Sequence, residues 1–210
     1  MKLIMFGPTG MIGSRILNEA LQRGHTLTVI TRDPSRFPIS HKNLTVVAGN
    51  ALDPASVATL AKGHDAVLSA MGPGGSSAET IVQAAQALTD GLSQAGIRRL
   101  IVVGGAGTLD VAPDVRLMDS PNFVEEYRPL AVAHLEAYNL YQASNLDWSF
   151  VCPAGEIAPG DRTGNFQVGA DRLLTNENGE SRISAEDYAI AFMDEVEQSK
   201  YVHHRMTIAY

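Results

Sequence analysis

The sequence predicts an α/β protein built on a doubly wound parallel sheet. Three observations predict it. Short apolar runs alternate along the chain with longer runs whose apolar residues recur at helical spacing. The first run, Lys2–Phe6, shows no period-2 alternation, which is the pattern of a strand buried on both faces. Directly after it, Gly7, Gly10 and Gly13 lead into a helical stretch.

Each element follows in order. Lys2–Phe6 is the first strand. Met11–Arg23 places Ile12, Ile16, Leu17, Ala20 and Leu21 at helical spacing, and Gly24 stops it. Thr26–Thr31 and Thr45–Ala48 are the second and third strands. Asp53 as a cap and Pro54 in the first turn start a helix that runs to Ala61. Ala66–Ala70 is the fourth strand, Ser76–Ala95 a long helix ending at Gly96, and Leu100–Val103 the fifth strand. Ser76-Ser77 reads as a helix cap or as a contact to a cofactor ribose. Phe123–Ala143 is helical, and Asp147–Cys152 is the sixth strand. Such alternation implies crossover helices on both faces and the strand order 3-2-1-4-5-6. Beyond Pro153 the pattern weakens. Ala158–Asn165 reads as a loop, and Ser184-Ala185-Glu186-Asp187 as a capping box opening a helix to Gln198. Arg205–Ala209 reads as a last edge strand. Residues 1–210 are expected to form one domain, with 154–210 covering the substrate end of the cleft.

The chain has 210 residues, 45% of them apolar, enough for a sizeable core without metal or disulfide support. A net charge of −7 and the lack of any long basic run argue against nucleic-acid or anionic-membrane partners. Cys152 is the single cysteine, so no intrachain disulfide forms. The apolar start of the chain stops at Gly7, too short for a signal peptide, and no run is long enough to span a bilayer. A soluble, cytoplasmic protein is expected, with homo-oligomer formation left open. The six histidines show no metal-ligand spacing, so no metal site is expected. Cys152 ends a buried strand and reads as a packing residue rather than a nucleophile. Leu117-Met118 is an apolar pair in the mostly polar stretch Asp110–Asn122, which reads as a substrate lid or a surface excursion.

The chemistry starts with the loop Gly7-Pro8-Thr9-Gly10-Met11-Ile12-Gly13. Strand, glycine loop and helix in this order are the context of a dinucleotide site. Gly7 permits the positive φ of a sharp turn, Gly10 lets a pyrophosphate approach the backbone, and Gly13 lets the helix pack close to the sheet. The free N–H groups of the helix would then hold the phosphates. The alternative is a tight turn without a ligand. An acid at the end of the second strand usually selects NAD. Here that place holds Thr31-Arg32, and the first carboxylate is Asp33. Arg32 can pair with a 2′-phosphate, with Arg36 as a second partner, so NADP (NADPH) is expected over NAD; both could also be solvated surface arginines. Asn50 and Ala51 follow the third strand, where the adenine edge lies, and Asn50 reads equally as a turn residue.

These residues, with Thr31-Arg32-Asp33-Pro34 and Leu146-Asp147-Trp148-Ser149-Phe150-Val151-Cys152-Pro153, resemble an atypical short-chain dehydrogenase/reductase across essentially the whole chain. The similar branch is the NAD(P)H-binding group of flavin reductases and biliverdin reductase B, with the NmrA-like proteins related to it. The resemblance implies a Rossmann fold and cofactor contacts at Gly7, Thr9, Gly10, Met11, Ile12, Arg32 and Arg36. It also implies Ser69, Ala70 and Met71 after the fourth strand, Gly104 and Gly105 after the fifth, and Pro153 and Ala154 beside the nicotinamide. For the strand-end glycines, plain loop flexibility is the alternative.

The Tyr-x-x-x-Lys pair of most dehydrogenases in the superfamily is absent. Tyr127, Tyr138 and Tyr141 are followed four residues on by Ala131, Gln142 and Asn145. Alcohol or ketone redox by that mechanism is not expected, whereas hydride transfer to a planar acceptor survives the loss, because the cofactor carries the chemistry. His134 resembles the position of a histidine in biliverdin reductase B and is the first candidate catalytic residue; a helix-surface or capping histidine is the alternative. That family's second histidine falls at Gly155 here. Tyr127 is the weaker candidate, with a core or interface role as its alternative. Two functions follow. One is an NAD(P)H-dependent reductase of a flavin (FMN or FAD as substrate) or of a quinone or tetrapyrrole-like acceptor. The other is an NmrA-like NADP-sensing regulator without turnover.

Overall fold

The computed structural model describes residues 1–75 and 77–210. Its first half contains β1 (Lys2–Phe6), α1 (Met11–Gln22), β2 (Thr26–Thr31), β3 (Leu44–Ala48), α2 (Pro54–Ala61), β4 (Ala66–Ser69), α3 (Glu79–Ala95) and β5 (Arg99–Val103). The second half adds β6 (Asp110–Ala112), β7 (Val115–Arg116), α4 (Arg128–Gln142) and β8 (Asp147–Cys152). It closes with β9 (Glu156–Ala158), β10 (Gln167–Gly169), β11 (Arg182–Ser184), α5 (Ala185–Gln198) and β12 (His204–Ala209).

Among the described residues, eight strands form the main sheet in the order β10-β12-β8-β5-β4-β1-β2-β3. The pairings are parallel except β10 with β12. The expected 3-2-1-4-5-6 order is present, with β8 as its sixth strand. β1 shows why its sequence lacks alternation. Leu3 and Met5 enter one core with Ile16 and Leu17 of α1 and Phe192 and Met193 of α5. Ile4 and Phe6 enter the opposite core with Val57 of α2, Leu88 of α3 and Tyr141 of α4. Each such side chain, once buried, contributes roughly 1.5–3 kcal/mol.

Four expectations are corrected. The C-terminal strand β12 is not the edge, because Gln167–Gly169 pairs antiparallel outside it. The helix expected from Phe123 starts as α4 at Arg128, after a single 3-10 turn at Glu125–Tyr127. The helix expected from Ser76 begins at Glu79. Ser76 lies outside the described residues, while Ser77 Oγ accepts the Glu79 N–H at 3.2 Å. The capping box forms by half. Ser184 Oγ accepts the Asp187 N–H at 3.0 Å. The Asp187 carboxylate instead turns to Thr163, Gly164 and the Tyr210 hydroxyl and ties the loop after β9 to α5. The stretch Asp110–Asn122, read as a substrate lid or a surface excursion, has structure of its own. It carries the β6–β7 hairpin and a 3-10 turn that buries Met118. Among the described residues, no helix is long and apolar enough to cross a membrane.

Candidate functional site: a cleft at the strand ends

One cleft of about 1210 Å³ runs across the carboxyl ends of the parallel strands. At its centre is the turn from β1 into α1. Gly7 takes φ +78°, and a Cβ there would strike the Ala70 backbone. Gly13 has a different partner from the one expected. A Cβ would run into the Gly7 carbonyl oxygen before it met the Ala70 Cβ at 3.3 Å, so the helix is seated on its own loop first. Gly10 has no protein atom within 4 Å of an added Cβ, and the space above it is the cleft.

The start of α1 is bare. The first intrahelical bond runs from the Ser14 N–H to the Gly10 carbonyl at 2.9 Å, which leaves the N–H groups of Met11, Ile12 and Gly13 without helical acceptors. No side chain caps this end, and no acid lies in its first turn. By contrast Asp53 caps α2 and Ser184 caps α5. An anion is the complement that satisfies such donors and the helix dipole. Thr9, Met11 and Ile12 line the cleft around them.

Toward β2 the cleft meets Arg32, which is exposed and makes no ion pair among the described residues. Asp33, the nearest acid, caps the next turn by accepting from the Ser35 N–H (3.1 Å) and hydroxyl (2.6 Å). One of its two carboxylate oxygens is thereby engaged within that turn. Arg36 is exposed and does not line the cleft. Asn50 and Ala51 do line it, although the Asn50 side chain accepts the Leu52 N–H at 3.0 Å as a turn residue would. Gly49 beside them lies against Leu60 and Ile30, with 2.5 and 2.7 Å left to an added Cβ.

The other end lies beyond β4, β5 and β8. Ala70, Met71, Gly104, Gly105, Pro153 and Ala154 line it, whereas Ser69 is buried within β4 and does not. The strand-end glycines have a packing reason rather than a flexibility reason. A Cβ on Gly104 would meet the Phe150 ring at 2.5 Å, and one on Gly105 would meet the His134 ring at 2.8 Å. One face of the α4 region points into the cleft: Tyr127, Leu130, Ala131 and His134, at the i, i+3, i+4, i+7 spacing. Tyr127 is exposed at the mouth and His134 is buried at the floor. The His134 ring stands edge-on to Phe150 at 6.3 Å. Burial pushes its pKa down to about 4, so it is an uncharged imidazole near neutral pH. Its Nδ1 is buried and has no hydrogen-bond partner among the described residues.

Leu117, from the stretch read as a lid or a surface excursion, lines this end, and sequence reasoning missed Phe123, Glu156 and Ile157, which line it too. Glu156 and Ile157 lie three and four residues after Pro153, and the strand-end rule carried that far finds them. Cys152 lies behind the wall, with burial raising its thiol pKa to about 12, as suits a packing residue.

A parallel sheet of this order, crossed at its carboxyl edge by a glycine loop and an uncapped helix, defines a Rossmann-type dinucleotide-binding protein. The comparisons agree. The family model described as NAD(P)H-binding matches residues 7–198, and the chain belongs to that family. YwnB of Bacillus subtilis strain 168, itself uncharacterised, is 38% identical over 99% of this chain and 98% of its own. Among solved structures, a Burkholderia pseudomallei protein provisionally described as exported shares 48% identity, with a TM-score of 0.92 over 100% of both chains. A provisionally assigned NADH-flavin reductase from Streptococcus pneumoniae shares 32% identity, with a TM-score of 0.86 over 100% of this chain and 99% of its own.

Proposed function

We propose that this chain is an NADPH-dependent reductase of a planar acceptor, a flavin or a quinone. The observation that carries the reading is the composition of the cleft along its length. Free helix amides and Arg32 suit the pyrophosphate and the 2′-phosphate, and the far end offers aromatic and aliphatic walls to a flat ring. When bound, the reduced dinucleotide supplies a hydride, two electrons with one proton, and with one proton from water the acceptor becomes its dihydro form.

The protein's part is placement. The amides of Met11, Ile12 and Gly13 grip the pyrophosphate, and Arg32 selects the 2′-phosphate by a charge-assisted bond. Pro153 and Ala154 back the nicotinamide. Tyr127 and Leu130, which line that end, would hold a flat acceptor there, and such positioning accelerates a transfer between two rings. His134 is uncharged, so it offers the acceptor a hydrogen bond and no stored proton; the second proton comes from solvent. The lack of a Tyr-x-x-x-Lys pair suits an acceptor that needs no polarised carbonyl.

The test mixes purified protein with NADPH and, in turn, riboflavin, FMN and an uncharged naphthoquinone. Acceptor-dependent loss of reduced-nicotinamide absorbance is expected. Saturable NADPH binding without turnover of any acceptor contradicts the reading and points to a dinucleotide sensor.

A further inference from the structure

We infer that the acceptor end of this cleft admits uncharged planar rings and turns away anionic ones, with Glu156 as the specificity-determining residue. This rests on reading the cleft as a reductase site, and it narrows the acceptor class that the reading allows.

Among the described residues lining the cleft, two carry charge at neutral pH: Arg32 and Glu156. Arg32 follows β2 and Glu156 follows β8. Four strand spacings separate those strands, roughly 19 Å across the sheet. The cation therefore stands at the adenosine end and the carboxylate at the acceptor end. Between them the lining is glycine, aliphatic, aromatic or uncharged polar.

The groups near Glu156 do not neutralise it. Glu156 is exposed and makes no ion pair among the described residues. Arg182 faces it in the β9–β11 register but neither pairs with it nor lines the cleft. Arg128, behind Phe123, is held by the Glu125 carboxylate at 2.7 Å and the Met118 carbonyl at 2.9 Å. His134 is uncharged at the floor and adds no cation there. A phosphate, sulfonate or propionate brought here finds one carboxylate and no cation among the residues lining this end, Arg182 being the nearest cation in the strand register. A like charge brought beside an exposed carboxylate is repelled, and salt screens that repulsion.

The test is binding without turnover. Protein saturated with NADP⁺, with loading verified by calorimetry, is titrated with riboflavin and with FMN, which share one ring and differ by a phosphate. A second pair is an uncharged naphthoquinone and its sulfonate. The uncharged member of each pair is expected to bind about tenfold more tightly, and raised salt to narrow the gap. Glu156→Gln is expected to bring each ratio to within about threefold, and Glu156→Arg to reverse it. Equal binding within both pairs, or no binding of any of the four, overturns the inference. So does a Glu156→Gln variant that keeps the ratios and instead weakens NADP⁺ relative to NADPH, because the carboxylate then serves the nicotinamide. Selective binding with no turnover leaves the inference standing and removes the reductase reading. Equal binding with turnover does the reverse.

Discussion

Replacing Gly10 by alanine separates folding from binding. An added Cβ meets no protein atom within 4 Å, and the backbone, at φ −70° and ψ 168°, is ordinary extended chain. The substitution loses a good helix cap, worth a few tenths to about 1 kcal/mol. It recovers about 0.4–1 kcal/mol by restricting the unfolded chain. The net change is within about 1 kcal/mol, which for a chain of this size moves Tm by roughly 2–4 °C. Binding is another matter. Gly10 lines the cleft, so the methyl group takes up space there at the start of α1. Losing one or two charge-assisted bonds at about 1.5–3 kcal/mol each weakens NADPH by roughly 100-fold. Calorimetry measures the affinity and thermal denaturation without ligand measures the fold. Gly13→Ala is the control, because its Cβ collides with the Gly7 carbonyl and is expected to lower Tm well beyond that range. A folded Gly10→Ala protein that binds NADPH within about threefold of the parent would refute the placement of the pyrophosphate, since a loss on the order of 100-fold is expected.

Arg32→Ala is expected to weaken NADPH by about tenfold or more and NADH by little, as befits one charge-assisted bond to a 2′-phosphate; equal losses in paired titrations count against the assignment. His134 contributes an acid-sensitive term. The unfolded chain takes up a proton below about pH 6.5 that the folded chain refuses until about 4, so folded stability falls as pH drops through that window. At pH 5 the loss is about 2 kcal/mol, and urea denaturation should show His134→Phe losing correspondingly less stability between pH 7 and 5. Asp187→Ala strips the carboxylate that receives the Thr163 and Gly164 N–H groups and the Thr163 and Tyr210 hydroxyls. A stability loss above about 2 kcal/mol is expected by denaturant titration, and an unchanged midpoint would show that loop to be independent of α5.

The half of the fold that carries the dinucleotide was legible because its signals are local. A two-sided apolar run, glycines at a turn and a cap-plus-proline start each name one element, and β1, α1, β2 and α2 lie where those signals put them. The C-terminal half was less legible because its strands are decided by distant partners. Gln167–Gly169 has no strand pattern of its own and becomes the edge only because β12 offers a free ladder. Asp187 looked like a weak capping acid, yet the loop at 163–164 takes its carboxylate. In the site, the residues next to strand ends were found. Phe123 was missed because its motif-free neighbourhood reaches the cleft only through the fold, and Glu156 because the strand-end reading stopped at Ala154. His134 was singled out on a resemblance; its buried, unpartnered Nδ1 was invisible to sequence.

The central claim is that backbone amides at the start of α1 hold a dinucleotide pyrophosphate. An amide-resolved NMR titration of the isotope-labelled protein with NADP⁺ tests it most directly. Large, saturable shifts at Met11, Ile12 and Gly13, with smaller ones after β4 and β5, are predicted. Saturation of the protein with those three amides unmoved would contradict the account.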